Sequence, residues 1–329
     1  MMRLAVVGTG MLVRELLPVF REMDCIRVQA LCATARSGET ARALGRQYGV
    51  APELVFTDYA AMLAQLRGQI DAVYIATPND THYALAREAL ESGHAVILEK
   101  PLVLRYEEGQ ALYELARRKG VPLLEAISNQ YLPSFAALRG HLPDIGEVRH
   151  VRISYAQYSS RYDRFLAGEY FRVFDAARGG GALNDLGIYN IHAAVGLFGA
   201  PASAVYYPNV VRGVDTSGVL LMDYGSFKCV CHAAKDCEGE SGIRIEGTRG
   251  SLRADGRMNA MKGDVVYEDP LRGVVRTYEI AQPAHRVMPE FEAFDRMLTD
   301  RDPERLRELQ EAQEESLRAL RVLTARADI

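Results

Sequence analysis

At 329 residues, with 48% apolar and 25% charged side chains, the chain has ordinary globular composition and suits two domains, each with its own core. Its 39 basic and 43 acidic residues sum to −4 without any block of like charge. That balance argues against a nucleic-acid or anionic-membrane surface and leaves a small molecule as the expected partner. The opening run Leu4-Ala5-Val6-Val7 is far shorter than the apolar core of a secretory leader, and no run approaches the ~18 residues of a membrane span. Five cysteines without metal-finger spacing read as reduced, packed thiols, so no metal site and a cytoplasmic setting are expected.

From Arg3 to about Ala126, short β-rich apolar runs alternate with helical ones. Strands are predicted at Leu4–Val7, Ile26–Cys32, Ala72–Ala76, Val96–Leu98 and Pro122–Glu125. Helices are predicted at Met11–Met23, Glu39–Tyr48, Asp58–Leu66, Asp80–Glu91 and Tyr106–Lys119. Repeated strand and helix units imply a parallel sheet wrapped by helices over residues 1–126.

The first strand-to-helix turn reads Gly8-Thr9-Gly10-Met11-Leu12-Val13. Gly8 permits a tight turn, and Gly10 lets a pyrophosphate approach the backbone at the positive end of the next helix. Val13 stands where a third Gly or Ala would allow the closest helix-strand packing. Placed directly after a strand and before a helix, this is the context of a dinucleotide-binding Rossmann turn. The second strand ends in Cys32-Ala33-Thr34-Ala35-Arg36-Ser37, with no acid to hold a ribose hydroxyl. Arg36, Thr34 and Ser37 suit a 2′-phosphate instead, so NADP is preferred over NAD; the alternative is that Arg36 stacks on adenine or faces water.

Thr77-Pro78-Asn79-Asp80-Thr81-His82 is either a well-capped helix start or, with the neighbouring Lys100 turn, one wall of a nicotinamide pocket. Val96-Ile97-Leu98-Glu99-Lys100-Pro101 reads as a buried parallel strand delivering Lys100 to its carboxyl end, where ligands sit in such sheets. A lysine snorkelling to solvent is the bland alternative.

Beyond Ala126 the texture shifts to Val-, Tyr- and Ile-rich runs with Gly turns, at Val148–Tyr158, Ala204–Val211, Val219–Asp223, Phe227–Ala233 and Val265–Tyr267. Residues 127–329 are therefore expected to form an α+β domain with a mostly antiparallel open sheet. Its closing helices are Pro289–Thr299 and a longer one capped by Asp302, with Pro303 first and an apolar face of Leu306, Leu309, Leu317, Leu320 and Leu323. The longer one is expected to pack on this domain. Within it, Gly179-Gly180-Gly181-Ala182-Leu183-Asn184-Asp185-Leu186-Gly187-Ile188-Tyr189-Asn190-Ile191-His192 sets Asp185, Tyr189 and His192 on one helical face among apolar residues. Because unpaired burial of a polar group costs roughly 2 kcal/mol, the polar stripe needs partners or a cavity. Asn184 and Asn190 leave open that it is simply the solvent side.

Together, Gly8-x-Gly10, Thr77-Pro78-Asn79 with His82, Glu99-Lys100-Pro101 and the Gly-Gly-Gly helix resemble the Gfo/Idh/MocA oxidoreductase family along essentially the whole chain. The resemblance implies an N-terminal Rossmann domain, a C-terminal domain whose open sheet often mediates assembly into a homodimer or homotetramer, and hydride transfer between NAD(P) and a sugar, inositol or related polyol. It implies that Lys100 is the catalytic lysine and Asp185 a substrate-binding or orienting carboxylate. Tyr189 stands where inositol dehydrogenases of the family carry a histidine, and His192 where several members have Asp. Val13 and Asn129-Gln130 depart from the family's common patterns. The segment Tyr155–Asp163 is similar to the bacterial branch containing an NADP-dependent scyllo-inositol dehydrogenase.

On that basis Gly8, Thr9, Gly10, Met11, Thr34, Arg36, Ser37, Thr77, Pro78, Asn79, His82, Glu99 and Lys100 are expected to bind cofactor, and Arg161, Asp185, Tyr189 and His192 substrate. Lys100 from the first domain and Tyr189 from the second are expected to converge on one alcohol, with Tyr189 exchanging its proton and no metal required. Two rival readings keep the fold: a non-catalytic NADP-binding sensor, and an NAD-dependent glycoside hydrolase whose cofactor cycles internally.

Overall fold

The computed structural model describes residues 1–261, 263–299 and 303–325, apart from the side chains of Pro303, Arg305 and Leu306. The expected Asp302 cap and the Leu306 side chain lie outside the described residues. The chain forms two compact units, Met1–Ala126 with Val287–Leu317, and Ile127–Arg286 with the chain from Arg318 on.

In the first unit the elements run β1 (Met2–Val7), α1 (Met11–Glu22), β2 (Ile26–Cys32), α2 (Gly38–Tyr48), β3 (Val55–Phe56), α3 (Tyr59–Gln65), β4 (Ala72–Ile75), α4 (His82–Glu91), β5 (Val96–Glu99), α5 (Tyr106–Lys119) and β6 (Leu123–Ala126). The strands pair in the order β3-β2-β1-β4-β5-β6, all parallel. Strands β4 and β6 are buried at every position, so neither alternates: β4 is Ala-Val-Tyr-Ile, and β6 is apolar apart from the buried Glu125. The strand order reverses between β1 and β4, the switch point at which doubly wound sheets bind ligands beyond their carboxyl ends. Only β3 escapes sequence detection, because two residues carry no period.

The second unit holds α6 (Pro133–His141), β7 (Val148–Ala156), α7 (Tyr162–Leu166), α8 (Ile188–Phe198), β8 (Ser203–Val211), β9 (Val214–Asp223), β10 (Lys228–Ala234), β11 (Gly242–Gly247), β12 (Ser251–Asp255), β13 (Val265–Asp269) and β14 (Val274–Tyr278). Its eight strands pair as β14-β13-β12-β11-β7-β10-β9-β8, antiparallel except where β7 meets β10. One face is apolar, with Ile153, Leu220, Cys229, Cys231, Ile243 and Leu252 all buried. The Cys229 and Cys231 sulfurs sit 3.8 Å apart there, and burial pushes the Cys231 thiol up.

The closing helices are α9 (Met288–Thr299) and α10 (Pro303–Thr324). Sequence reading places both with the second domain; the structure instead returns Val287–Leu317 to the first unit. Phe291 of α9 packs on Phe20 and Tyr74 with ring centroids 4.6 and 5.3 Å apart, and Gln313 of α10 donates to the Leu123 carbonyl. The amphipathic pattern predicts that a face is buried, but it carries no information about which surface buries it.

Candidate active site

The turn after β1 is built for close approach. Gly8 adopts φ +125°, and a Cβ there would lie 2.4 Å from the Ala76 carbonyl oxygen at the end of β4. Thr9 and Gly10 follow, and Gly10 is the N-cap of α1. No side chain caps α1, its first turn, opened by Met11, contains no acid, and a Cβ on Gly10 would meet nothing within 4 Å. Open backbone donors at the positive end of a helix, with room beside them, fit a dinucleotide pyrophosphate. Val13, at the third fingerprint position, is buried between α1 and the sheet.

Beyond β2, Thr34 and Arg36 are exposed and Ser37 is half-buried in a short turn leading into α2. Asp58 is the N-cap of α3, accepting from the Ala61 amide. This edge presents a guanidinium and hydroxyls, the chemistry of a 2′-phosphate site. Burial pushes the Cys32 thiol up to about 11, so it stays protonated beside the loop.

The Lys100 strand end is braced from both sides. Tyr74 on β4 donates to Glu99 Oε1 at 2.6 Å, the Lys100 amide reaches Glu99 Oε2 at 3.3 Å, and the buried Glu125 on β6 accepts from the Leu102 amide at 2.8 Å. The Lys100–Pro101 peptide is cis, and Lys100 itself is half-buried. His82 is fully buried, with Nδ1 and Nε2 each 3.0 Å from the Pro101 and Thr77 carbonyl oxygens. It therefore sits between the Thr77-Pro78-Asn79 turn and the Lys100 turn, and its neutral ring donates to one of the two carbonyls. Burial holds its pKa below the ordinary range despite the two carbonyls.

In the second unit, Gly181 at φ +117° leads into a π-turn over Leu183–Gly187 that runs on as α8. Asp215, buried at 6% exposure, accepts from the Leu183 amide and the Tyr206 hydroxyl, both at 2.8 Å, and so fixes where the turn begins. The expected regular helical face is thus broken at Asp185, which sits in the π-turn, a widening common at functional sites. Asp185 Oδ2 accepts from Lys235 Nζ at 2.6 Å.

Tyr189 is 6% exposed, its ring 6.0 Å from Tyr155. Asn129 donates to the Tyr189 carbonyl, Gln130 to that of His192, and Asn190 to the His232 carbonyl on β10. Asn184, Asn190 and His192 are all buried, so the solvent-side alternative for this helix is excluded. Arg161, at the start of α7, lies over the Phe171 ring, and its amide bonds Ser159, whose own amide donates to the Lys235 carbonyl. The structure thus groups Asp185, the Arg161 loop and Lys235 in one framework, with Tyr189 and His192 further along α8. Sequence reading missed Lys235 and Asp215, although Lys235 closes an apolar strand just as Lys100 does.

Among the described residues, no group of three or more His, Cys, Asp or Glu is placed to hold a metal ion, and no helix is long and apolar enough to cross a membrane. Residues 2–126 match the family model for oxidoreductases with an NAD-binding Rossmann fold, and residues 143–253 the GFO/IDH/MocA C-terminal domain. An uncharacterized oxidoreductase of Escherichia coli (strain K12) is 37% identical over 253 residues, covering 77% of this chain and 75% of that protein. The NADP(+) scyllo-inositol 2-dehydrogenase of Bacillus subtilis (strain 168) is 32% identical over 295 residues, 89% of this chain and 87% of its own. A 3-ketoreductase of Actinomadura kijaniata, solved with NADP and TDP-benzene, superposes with a TM-score of 0.82 at 24% identity, covering 100% of this chain and 98% of that one. Because models for both halves match in order and the relatives share their sequence along most of their length, this chain belongs to the GFO/IDH/MocA oxidoreductases, its first domain being their NAD-binding Rossmann fold.

Proposed function

We propose that this oxidoreductase interconverts a secondary alcohol and ketone on a cyclic polyol or sugar, with NADP preferred over NAD. The observation that carries the reading is the braced strand end: Tyr74, Glu99, Glu125 and His82 hold Lys100 at the carboxyl edge of β5, where such sheets present reactive groups. The polyol class draws on the Bacillus subtilis relative's substrate. The NADP preference draws on Arg36 and the absence of an acid between Cys32 and Ser37.

A bound nicotinamide supplies the acceptor for the hydride leaving the carbinol carbon. Tyr189, acting as its phenolate, takes the hydroxyl proton and becomes the neutral phenol, and the Lys100 ammonium donates a hydrogen bond to the same substrate oxygen as negative charge develops on it. Asp185 accepts from a neighbouring hydroxyl and Arg161 donates to another, while His192, buried along α8, supports that wall. Gly8, Thr9, Gly10 and Met11 would hold the pyrophosphate; Thr34, Arg36 and Ser37 would hold the adenosine end; Thr77, Pro78, Asn79 and Glu99 would border the nicotinamide.

The test is reduced-nicotinamide absorbance over inositols, aldoses and diols with each cofactor. Lys100→Met and Tyr189→Phe should each lower kcat by about 10²–10⁴-fold with NADP affinity retained. The double variant should be no worse than the poorer single, since groups serving one step are not additive. Near-wild-type turnover by Lys100→Met sinks the mechanism, and a preference for NAD sinks the cofactor assignment.

The outer face of the second sheet pairs Val205 with Leu221 and Tyr207 with Val219 across β8 and β9, Tyr207 being 62% exposed. An apolar strip of this kind suits burial between subunits, supporting a homodimer or homotetramer through the sheet; sedimentation velocity showing only monomer would refute it. The five free cysteines support a reducing, cytoplasmic setting.

A further inference from the structure

Lys235 follows the last residue of β10 and points inward, its side chain 4% exposed. The ammonium donates to Asp185 Oδ2 at 2.6 Å and to the Val173 carbonyl at 3.3 Å, and it rests 4.9 Å from the Phe174 ring centroid. An ammonium has three donors and no acceptor, so a carboxylate, a carbonyl and an aromatic face together replace much of its water. Hiding a charge is costly unless its partners are this good. The pair is lopsided: the cation is enclosed, whereas the Asp185 side chain keeps 38% of its surface open. An ion pair serving packing alone has no need to leave its anionic end in the open.

Both ends are independently anchored. The Lys235 amide donates to the Thr216 carbonyl and its carbonyl accepts from Ser159, each at 2.8 Å. On the other side, Asp215 fixes the start of the π-turn that carries Asp185. Neither residue's backbone depends on the ion pair for its position, so the pair is free to set side-chain geometry.

We propose that Lys235 is a positioning residue that acts on substrate only through Asp185. It holds the carboxylate in one rotamer, so that the exposed part of the Asp185 side chain is aimed at hydroxyl donors. The pair is neutral as a unit, so it selects uncharged polyhydroxyl substrates over acids or phosphates at this position. This deepens the proposed function, since it rests on Asp185 being the substrate carboxylate.

The test uses the full chain as wild type, Lys235→Met, Asp185→Asn and the double variant. With the best polyol, Lys235→Met should lower kcat/KM by about 10- to 100-fold, mostly through KM, with NADPH affinity by nicotinamide fluorescence unchanged. In the Asp185→Asn background the same change should cost less than about twofold. Lys235→Arg should recover part of the loss. Without substrate, the double variant should melt no lower than Asp185→Asn, which leaves the ammonium buried without its carboxylate. Equal losses in both backgrounds, or wild-type kinetics in Lys235→Met, overturn the proposal. If Lys235→Met does not fold, Lys235→Gln, which also removes the charge, takes its place, and an unchanged KM overturns the proposal as well. A wild type that turns over no polyol sinks the substrate reading instead, and the melting comparison still reports on the pair.

Discussion

Gly181 shows how one missing side chain shapes the turn that carries Asp185. At φ +117° an L-residue is strained, and a Cβ there would lie 1.9 Å from Asp215 Oδ1, the carboxylate that begins the π-turn. Gly181→Ala should therefore destabilise the protein by about 1–3 kcal/mol, read by urea unfolding, and should displace Asp185 and so lower kcat/KM. An alanine variant with wild-type stability would mean that the turn has room to spare. The run of glycines is plain in the sequence, as is the cluster Asp185, Tyr189 and His192. The partners that settle their roles are not, since Asp215 lies 30 residues beyond Asp185 and Lys235 a further 20. Sequence spacing says which side chains share a helical face, but not what another strand brings to that face.

Among the elements, the joint between the start of α4 and the end of β5 depends on one imidazole. Both His82 nitrogens face carbonyl oxygens in full burial, and burial depresses its pKa below the ordinary 6.5. On acidification the unfolded chain binds this proton before the folded one does. The contribution of His82 to stability is thus complete above about 6.5 and is lost as pH falls from there toward the folded value. His82→Gln should flatten the fall in melting temperature between about pH 7 and about pH 5, while leaving the protein less stable at neutral pH. An unchanged slope would show that other groups carry the dependence. The Thr77 hexamer was open to two readings, a plain helix start or a pocket wall. The His82 ring lies within hydrogen-bond distance of carbonyls in both that hexamer and the Lys100 turn.

For the complete chain, the consequential departure from expectation is the return of α9 and most of α10 to the first unit. Phe291 is fully buried between Phe20 and Tyr74, and Tyr74 in turn holds Glu99 beside Lys100. A residue nearly 200 positions downstream thus supports the Lys100 strand end. Phe291→Ala should cost about 3–5 kcal/mol by denaturant titration and weaken cofactor binding along with it. Loss of stability with cofactor affinity intact would confine its role to packing.

The sequence was sufficient for five of the six strands of the parallel domain, the Gly8 turn, the Lys100 strand end and the mostly antiparallel second sheet. Each is written in local chemistry: a period of apolar residues, a turn that tolerates only glycine, a lysine stopped by proline. It missed β11, β12 and β14, runs of five or six residues that carry charged side chains and offer too few positions for a period to stand out. The destination of the closing helices, the π-turn beneath Asp185 and the Lys235 ammonium beside it emerged only from the folded chain. These depend on contacts between residues far apart in sequence, and a hydrophobic pattern specifies that a surface is buried without naming the surface that covers it.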